Sequence, residues 1–222
     1  MIKKNFKIFI FMLALCILYC CFGIWLNKHG CDIKLRWLFW NLFLAIIPMI
    51  FAMPVHALVT YRKHWGILSL PLAAVWLLFL PNSCYMITDL IHLESSGLIG
   101  NNGIYLMNLK GWIEIIYLGA GIFLAVITGL FSTSLIHQPM KLRKYKILNF
   151  LWISVISLLC GYGVFIGRFL RFNSWDILHP RTLLRALLNN INRFSILFSC
   201  FIAIFFFFSY LIYTKDAHDP ID

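Results

Sequence analysis

Apolar residues run along this chain in blocks of about 20, separated by short polar breaks, and about 20 helical residues cross the hydrocarbon core of a bilayer. Six blocks, roughly residues 6–26, 37–60, 65–87, 112–131, 148–167 and 194–213, each predict a membrane-spanning helix. The third is the shortest before a break, because Pro81 follows Leu80. Its helix is expected to continue past Pro81 with a kink, carrying a polar stretch into the outer half of the membrane. Pro48, Pro54 and Pro71 predict further bends. Behind Pro180, residues 181–193 set Arg181, Arg185 and Asn189 on one stripe and leucines on the other, the pattern of an amphipathic helix lying at the interface. The expected fold is therefore all-α. It is a single integral membrane domain over residues 1–222, a polytopic bundle of about six transmembrane helices plus a short interfacial amphipathic helix.

Two sets of small residues recur at helical spacing. Gly121, Ala125 and Gly129 fall four apart in the fourth span, and Gly163 and Gly167 four apart in the fifth. Such stripes let helix backbones approach closely, and packing within one chain is the expected use.

Composition agrees with the pattern and narrows it. With 62% hydrophobic residues, 12% charged residues and a mean hydropathy of +0.86, 222 residues leave no room for a globular domain. A net charge of +11 on a soluble chain would point to nucleic acid. On this one it reads as topology signals and contacts with anionic lipid, which excludes a nucleic-acid partner. Lys3, Lys4 and Lys7 precede an apolar run too long for a signal peptide, with no small-residue cleavage site, so a retained first span is expected. Five of the seven cysteines lie inside apolar runs, where cysteine acts as a small hydrophobe. Cys31 and Cys84 fall on one side of the membrane, which leaves a disulfide open.

Orientation follows from Lys and Arg near the span ends, which favour the cytoplasm. With both termini inside, ten positive residues lie inside and nine outside, five of the nine between Arg168 and Arg193. Setting those five aside as part of a site gives ten to four, so both termini are expected in the cytoplasm. Whichever way the bundle faces, the segments after the third and fifth spans share one side. Asp32, Asp89, Glu94, Glu114 and Asp176 all gather there, with Arg168, Arg171, Arg181, Arg185 and Arg193.

Ionisable residues at the edge of hydrocarbon need a partner or a role. Asn82, Tyr85, Asp89 and His92 share one face if that stretch is helical. Asp89 and His92 supply two metal ligands at most, or a carboxylate orienting an imidazole base. No third ligand is fixed by spacing, so no metal is expected, and no motif implies a cofactor. Arg168 and Arg171, one turn apart, suit bidentate contact with phosphate or carboxylate. The bland alternative bonds them to Asp176, Asp89 or Glu114 as a structural network. Asn173 braces the turn after the fifth span, Trp175 packs at headgroup level, and residues 95–103 form a loop. His56, alone in the second span, reads as a satisfied partner between helices.

The strings from Trp76 to Leu93 and from Gly161 to Ile177 resemble a bacterial family of uncharacterised integral membrane proteins, domain of unknown function 1361. Where that family's pattern reads Pro-Asn-Ala-Pro-Tyr and Arg-Trp-Asn, this chain has Ser83, Cys84 and Phe172, and every polar position is kept. The resemblance implies a multi-pass protein of the bacterial plasma membrane and no particular catalysis.

The leading expectation is a polar pocket on the extracytoplasmic face that binds an anionic lipid headgroup or a lipid-linked envelope precursor. Arg168 and Arg171 would hold the anion, Asp89, Asp176 and Glu114 would orient them, and Asn82, Tyr85, His92 and Asn173 would complete the wall. If the ligand is processed, Asp89 or His92 is the candidate general base. Two other readings stay open: a structural protein whose charges only lock the bundle, and a small-solute transporter.

Overall fold

Proline, glycine and a few buried hydroxyls decide where these helices break, touch and end. The structure, a computed structural model, describes residues 2–31, 33–62, 65–96, 107–172 and 174–215, except the side chains of 92–96, 177 and 178. Six of its helices are long and apolar enough to cross a membrane, so the chain is a multi-pass membrane protein. Five spans are continuous: α1 (Ile2–Lys28), α2 (Leu35–Arg62), α5 (Leu109–Met140), α6 (Lys146–Phe169) and α8 (Arg193–Lys215). The third is composite, made of α3 (Ser69–Phe79), α4 (Pro81–Tyr85) and a 3₁₀ segment (Met86–Ser96). Helix α7 (Pro180–Asn189) is the expected amphipathic element, with proline in its first turn and no buried residue. Among the described residues there is no strand.

The third span starts later and runs further than the expected 65–87. Ser69 ties down its start: its hydroxyl accepts from the Gly66 N–H at 2.8 Å and donates to the Gly66 carbonyl at 3.0 Å. Pro81 has no N–H for the Leu77 carbonyl, so the chain breaks at Leu80 and restarts as α4. Beyond Tyr85 it tightens to 3₁₀, and the α-helical spacing expected over 82–92 stops there.

Helix α4 is wedged between α5 and α6 because glycines leave room for it. A Cβ at Gly129 would collide with Ser83, one at Gly163 with Pro81, and one at Gly167 would press Tyr85 at 3.3 Å. The glycine stripes thus serve packing inside the chain, as expected. Gly161 likewise faces the backbone of Ser199 and Ala203, so α6 and α8 lie almost backbone to backbone. Helix α2 packs on α3 and α5, and α4 touches α2, α5 and α6, while α2 and α6 scarcely meet. A cleft is left between those two helices.

Helix α1 is fastened by two tyrosines. Tyr19 donates to the Tyr117 carbonyl at 3.0 Å, Tyr117 donates to the Tyr19 carbonyl at 2.9 Å, and the rings stack at 4.3 Å. The fit is possible because Gly23 and Gly121 face the two hydroxyl groups.

Helix α5 runs well past the expected end at 131. The Ser132 and Thr133 hydroxyls bond back to the Gly129 carbonyl at 2.7 and 2.9 Å, and Ser132 also accepts from the Trp76 indole at 3.1 Å. Hydroxyls satisfied within their own turn can be buried in a bundle, so the polar run 132–134 continues the helix. At that end, the buried His56 donates to the Leu135 carbonyl at 2.9 Å and accepts from Asn5 at 3.0 Å. Asn5 also donates to Gln138 at 2.9 Å. The expected role of His56 as a satisfied partner between helices is what the structure has.

Candidate functional site

At the opposite end, the 3₁₀ segment and the last turn of α6 bring the two polar strings together. Arg168 Nη2 donates to Asp89 Oδ1 at 2.5 Å, with side-chain exposures of 16% and 9%. Asp89 Oδ2 accepts from Asn41 of α2 at 2.6 Å. Arg168 Nε donates to Thr88 Oγ1 at 2.6 Å, and that hydroxyl donates to the Tyr85 carbonyl at 2.6 Å. The guanidinium carbon lies 4.4 Å from the centre of the Tyr85 ring, a cation–π contact. One carboxylate and one guanidinium thus join α2, the third span and α6. Taking both charges out of water is worthwhile only with such additional bonds.

This ion pair forms part of the wall of a cavity of about 970 Å³, at the upper end of the range for small-molecule sites, in the cleft between α2 and α6. At the end of the bundle where α2 begins and α6 finishes, it is lined by Lys34, just before α2, by Trp37, and by Ser174, Trp175 and Leu183 after α6. Asn41, Asp89, Arg168 and Glu114 of α5 form a polar belt further into the spans. Deeper, the wall turns apolar at Leu44, Leu78, Leu118 and Gly163. Leu44 lies about 15 Å along α2 from Lys34, at about 1.5 Å per residue. Ser174 fastens the segment after α6, accepting from Asn82 at 3.2 Å and donating to the Leu78 carbonyl at 3.3 Å.

Of the residues expected in the pocket, Asn82, Tyr85, Asp89, Glu114 and Arg168 line the cavity. Arg171 does not. Helix α6 ends at Phe169, and Arg171 sits exposed in the left-handed region at φ +58°, just before Phe172 N–H bonds the Ile166 carbonyl at 3.4 Å. Asp176 is half-buried outside the cavity wall. Asn173 and the His92 side chain, like the loop after residue 96, lie outside the described residues. Asp89 is held by two donors, so it is better placed to fix Arg168 than to take a proton. Among the described residues, no three His, Cys, Asp or Glu side chains come together as a metal site. The described cysteines are all free: Cys84 is buried and is not bridged to Cys31.

Sequence reasoning missed Asn41, Thr88, Lys34, Trp37 and Trp40 as parts of this site. Asn41 gave a usable signal, as the lone amide in an apolar span. The others look like ordinary interfacial residues, and only the fold gathers them.

No curated protein and no solved structure matches the chain. A family model described as a protein of unknown function, DUF1361, matches residues 40–209, which takes in the Asp89–Arg168 pair and the polar belt of the cavity; the chain belongs to that family.

Proposed function

We propose that this membrane protein binds a lipid or lipid-linked ligand in the cleft between α2 and α6, its anionic headgroup in the polar belt and its hydrocarbon along the apolar depth. The observation that carries the reading is the change of the cavity wall with depth, from Lys34, Asp89, Glu114 and Arg168 to Leu44, Leu78 and Leu118. An amphiphile has the same order of polarity. Lys34 and Arg168 supply cationic donors for a phosphate. In this reading the cavity opens on the extracytoplasmic face of a bacterial plasma membrane, with both termini in the cytoplasm, as the Lys and Arg bias favours.

A second reading has its own support. The Asp89–Arg168 pair, with Asn41 and Thr88, ties three spans at one end, which is what a purely structural lock would do. The two readings part at Leu44, which lines the cavity one turn along α2 from Asn41 and has no side chain that could join the ion pair. Native mass spectrometry of the detergent-solubilised protein is expected to retain lipid on wild type and to lose it on Leu44→Trp, with the melting temperature little changed. Equal retention by both, or none by wild type, rejects the ligand reading.

A further inference from the structure

At the end of the bundle away from the cleft, a second recess of about 590 Å³ lies between α1 and α2, and its walls include Lys3, Phe6 and Lys7 of α1 with Met53, Pro54 and Ala57 of α2. It joins charge of one sign to a strip of hydrocarbon. Lys3 and Lys7 stand one turn apart, both exposed, and neither makes an ion pair among the described residues. The described carboxylates, Asp89, Glu114 and Asp176, all belong to the other end of the bundle. Pro54 and Ala57 put little side chain between α2 and α1. Asn5, next to Phe6, bonds His56, next to Ala57, at 3.0 Å in a buried contact that holds the two helices at a fixed separation. Phe6 is 52% exposed and Pro54 is exposed too, so the recess opens away from the bundle, where a multi-pass membrane protein meets lipid. Depth fits the same occupant. Helix α1 has 27 residues, about 40 Å at about 1.5 Å each against a hydrocarbon core of about 30 Å, so its first turns reach the headgroup layer. Ala57 and Met53 lie about 8 and about 14 Å along α2 from its last residue, Arg62, at the level of the acyl chains. A basic recess between spans, where headgroup gives way to chain, suits an anionic lipid. A second copy of this chain would bring the same lysines to the contact and be repelled.

We propose that this recess holds an anionic glycerophospholipid of the leaflet at the amino-terminal end, its phosphate at Lys3 and Lys7 and an acyl chain against Phe6, Met53 and Pro54. The site is separate from the cleft and does not depend on what the cleft binds. The two lysines select the sign of the headgroup, and the apolar strip holds the chain.

The test is photocrosslinking of the full chain in phosphatidylcholine nanodiscs, with phosphatidylglycerol or phosphatidylethanolamine probes that carry the same diazirine acyl chain. Adducts are mapped by mass spectrometry, which separates this site from the cleft. Wild type is expected to give adducts within residues 53–57 about tenfold more often with phosphatidylglycerol than with phosphatidylethanolamine. Lys3→Gln should lower that ratio about threefold, and Lys3→Gln with Lys7→Gln should bring it close to one. Lys4→Gln removes a neighbouring exposed charge that is not in the wall, and it should leave the ratio as in wild type. Adducts on α8 in the same sample give the reference for probe content. Equal labelling by the two probes in wild type, or a ratio that the double variant leaves unchanged, overturns the site. So does a ratio that Lys4→Gln lowers as much as Lys3→Gln, which is bulk charge attraction. Absence of adducts within 53–57 from either probe overturns it as well.

Discussion

Replacing Asp89 by alanine strands the Arg168 guanidinium inside the bundle. The carboxylate accepts from Arg168 at 2.5 Å and from Asn41 at 2.6 Å, so its loss leaves two donors without their acceptor. With side-chain exposures of 9% and 16%, the pair belongs to the buried class. Removing one partner of such a pair costs about 3–5 kcal/mol, against about 0–1 for an exposed one. For a chain of this size, about 2–4 °C of melting temperature per kcal/mol converts that loss to about 6–20 °C. Arg168→Met should fall by a similar amount, since it leaves the Asp89 charge unpaired. Replacing both charges by apolar groups of similar volume, Asp89→Leu with Arg168→Met, should recover most of the loss, because a well-packed apolar pair can match a buried ion pair. Scanning fluorimetry in detergent on wild type, both single variants and the double variant completes the cycle. Shifts of under about 2 °C in the singles, or shifts that simply add in the double, would refute the claim that this pair locks the spans.

Other consequences are as direct. Gly161→Ala should lower the melting temperature, because its Cβ meets the α8 backbone at Ser199 and Ala203, whereas Gly119→Ala, with open space around it, should be neutral or stabilising by up to about 1 kcal/mol; equal effects in fluorimetry would contradict the backbone-to-backbone packing of α6 and α8. Arg171→Gly should raise the melting temperature by about 2–4 °C by relieving the left-handed conformation at φ +58°, and should leave lipid retention unchanged. Loss of lipid in that variant would return Arg171 to the site. A membrane-impermeant maleimide should label Cys31, half-buried between α1 and α2, in intact cells. Labelling only in inverted vesicles would reverse the proposed orientation.

The sequence made the six spans legible because each meets the bilayer's length requirement with its own apolar run. It also led to a pairing of Asp89 with Arg168 or Arg171, since charges at the edge of hydrocarbon seek one another, but not to which of the two. The reach of α5 was hidden, because Ser132, Thr133 and Ser134 look like a polar break until their hydroxyls are seen bonding within the helix and to neighbouring side chains. Arg171 was expected beside Arg168 because three-residue spacing shares a face only while a helix continues, and α6 stops between them. The cavity is a property of packing: it exists because α4 fills the space between α5 and α6 but leaves α2 and α6 apart. No local pattern records that gap.

The central claim is that the cleft between α2 and α6 is a lipid site, and density for the protein in lipid nanodiscs tests it most directly. Wild type should show a headgroup beside Arg168 and Glu114, with chain density running past Leu44, and Leu44→Trp should show neither. A cleft filled only by water in wild type, or lipid density that persists in Leu44→Trp, would contradict the account.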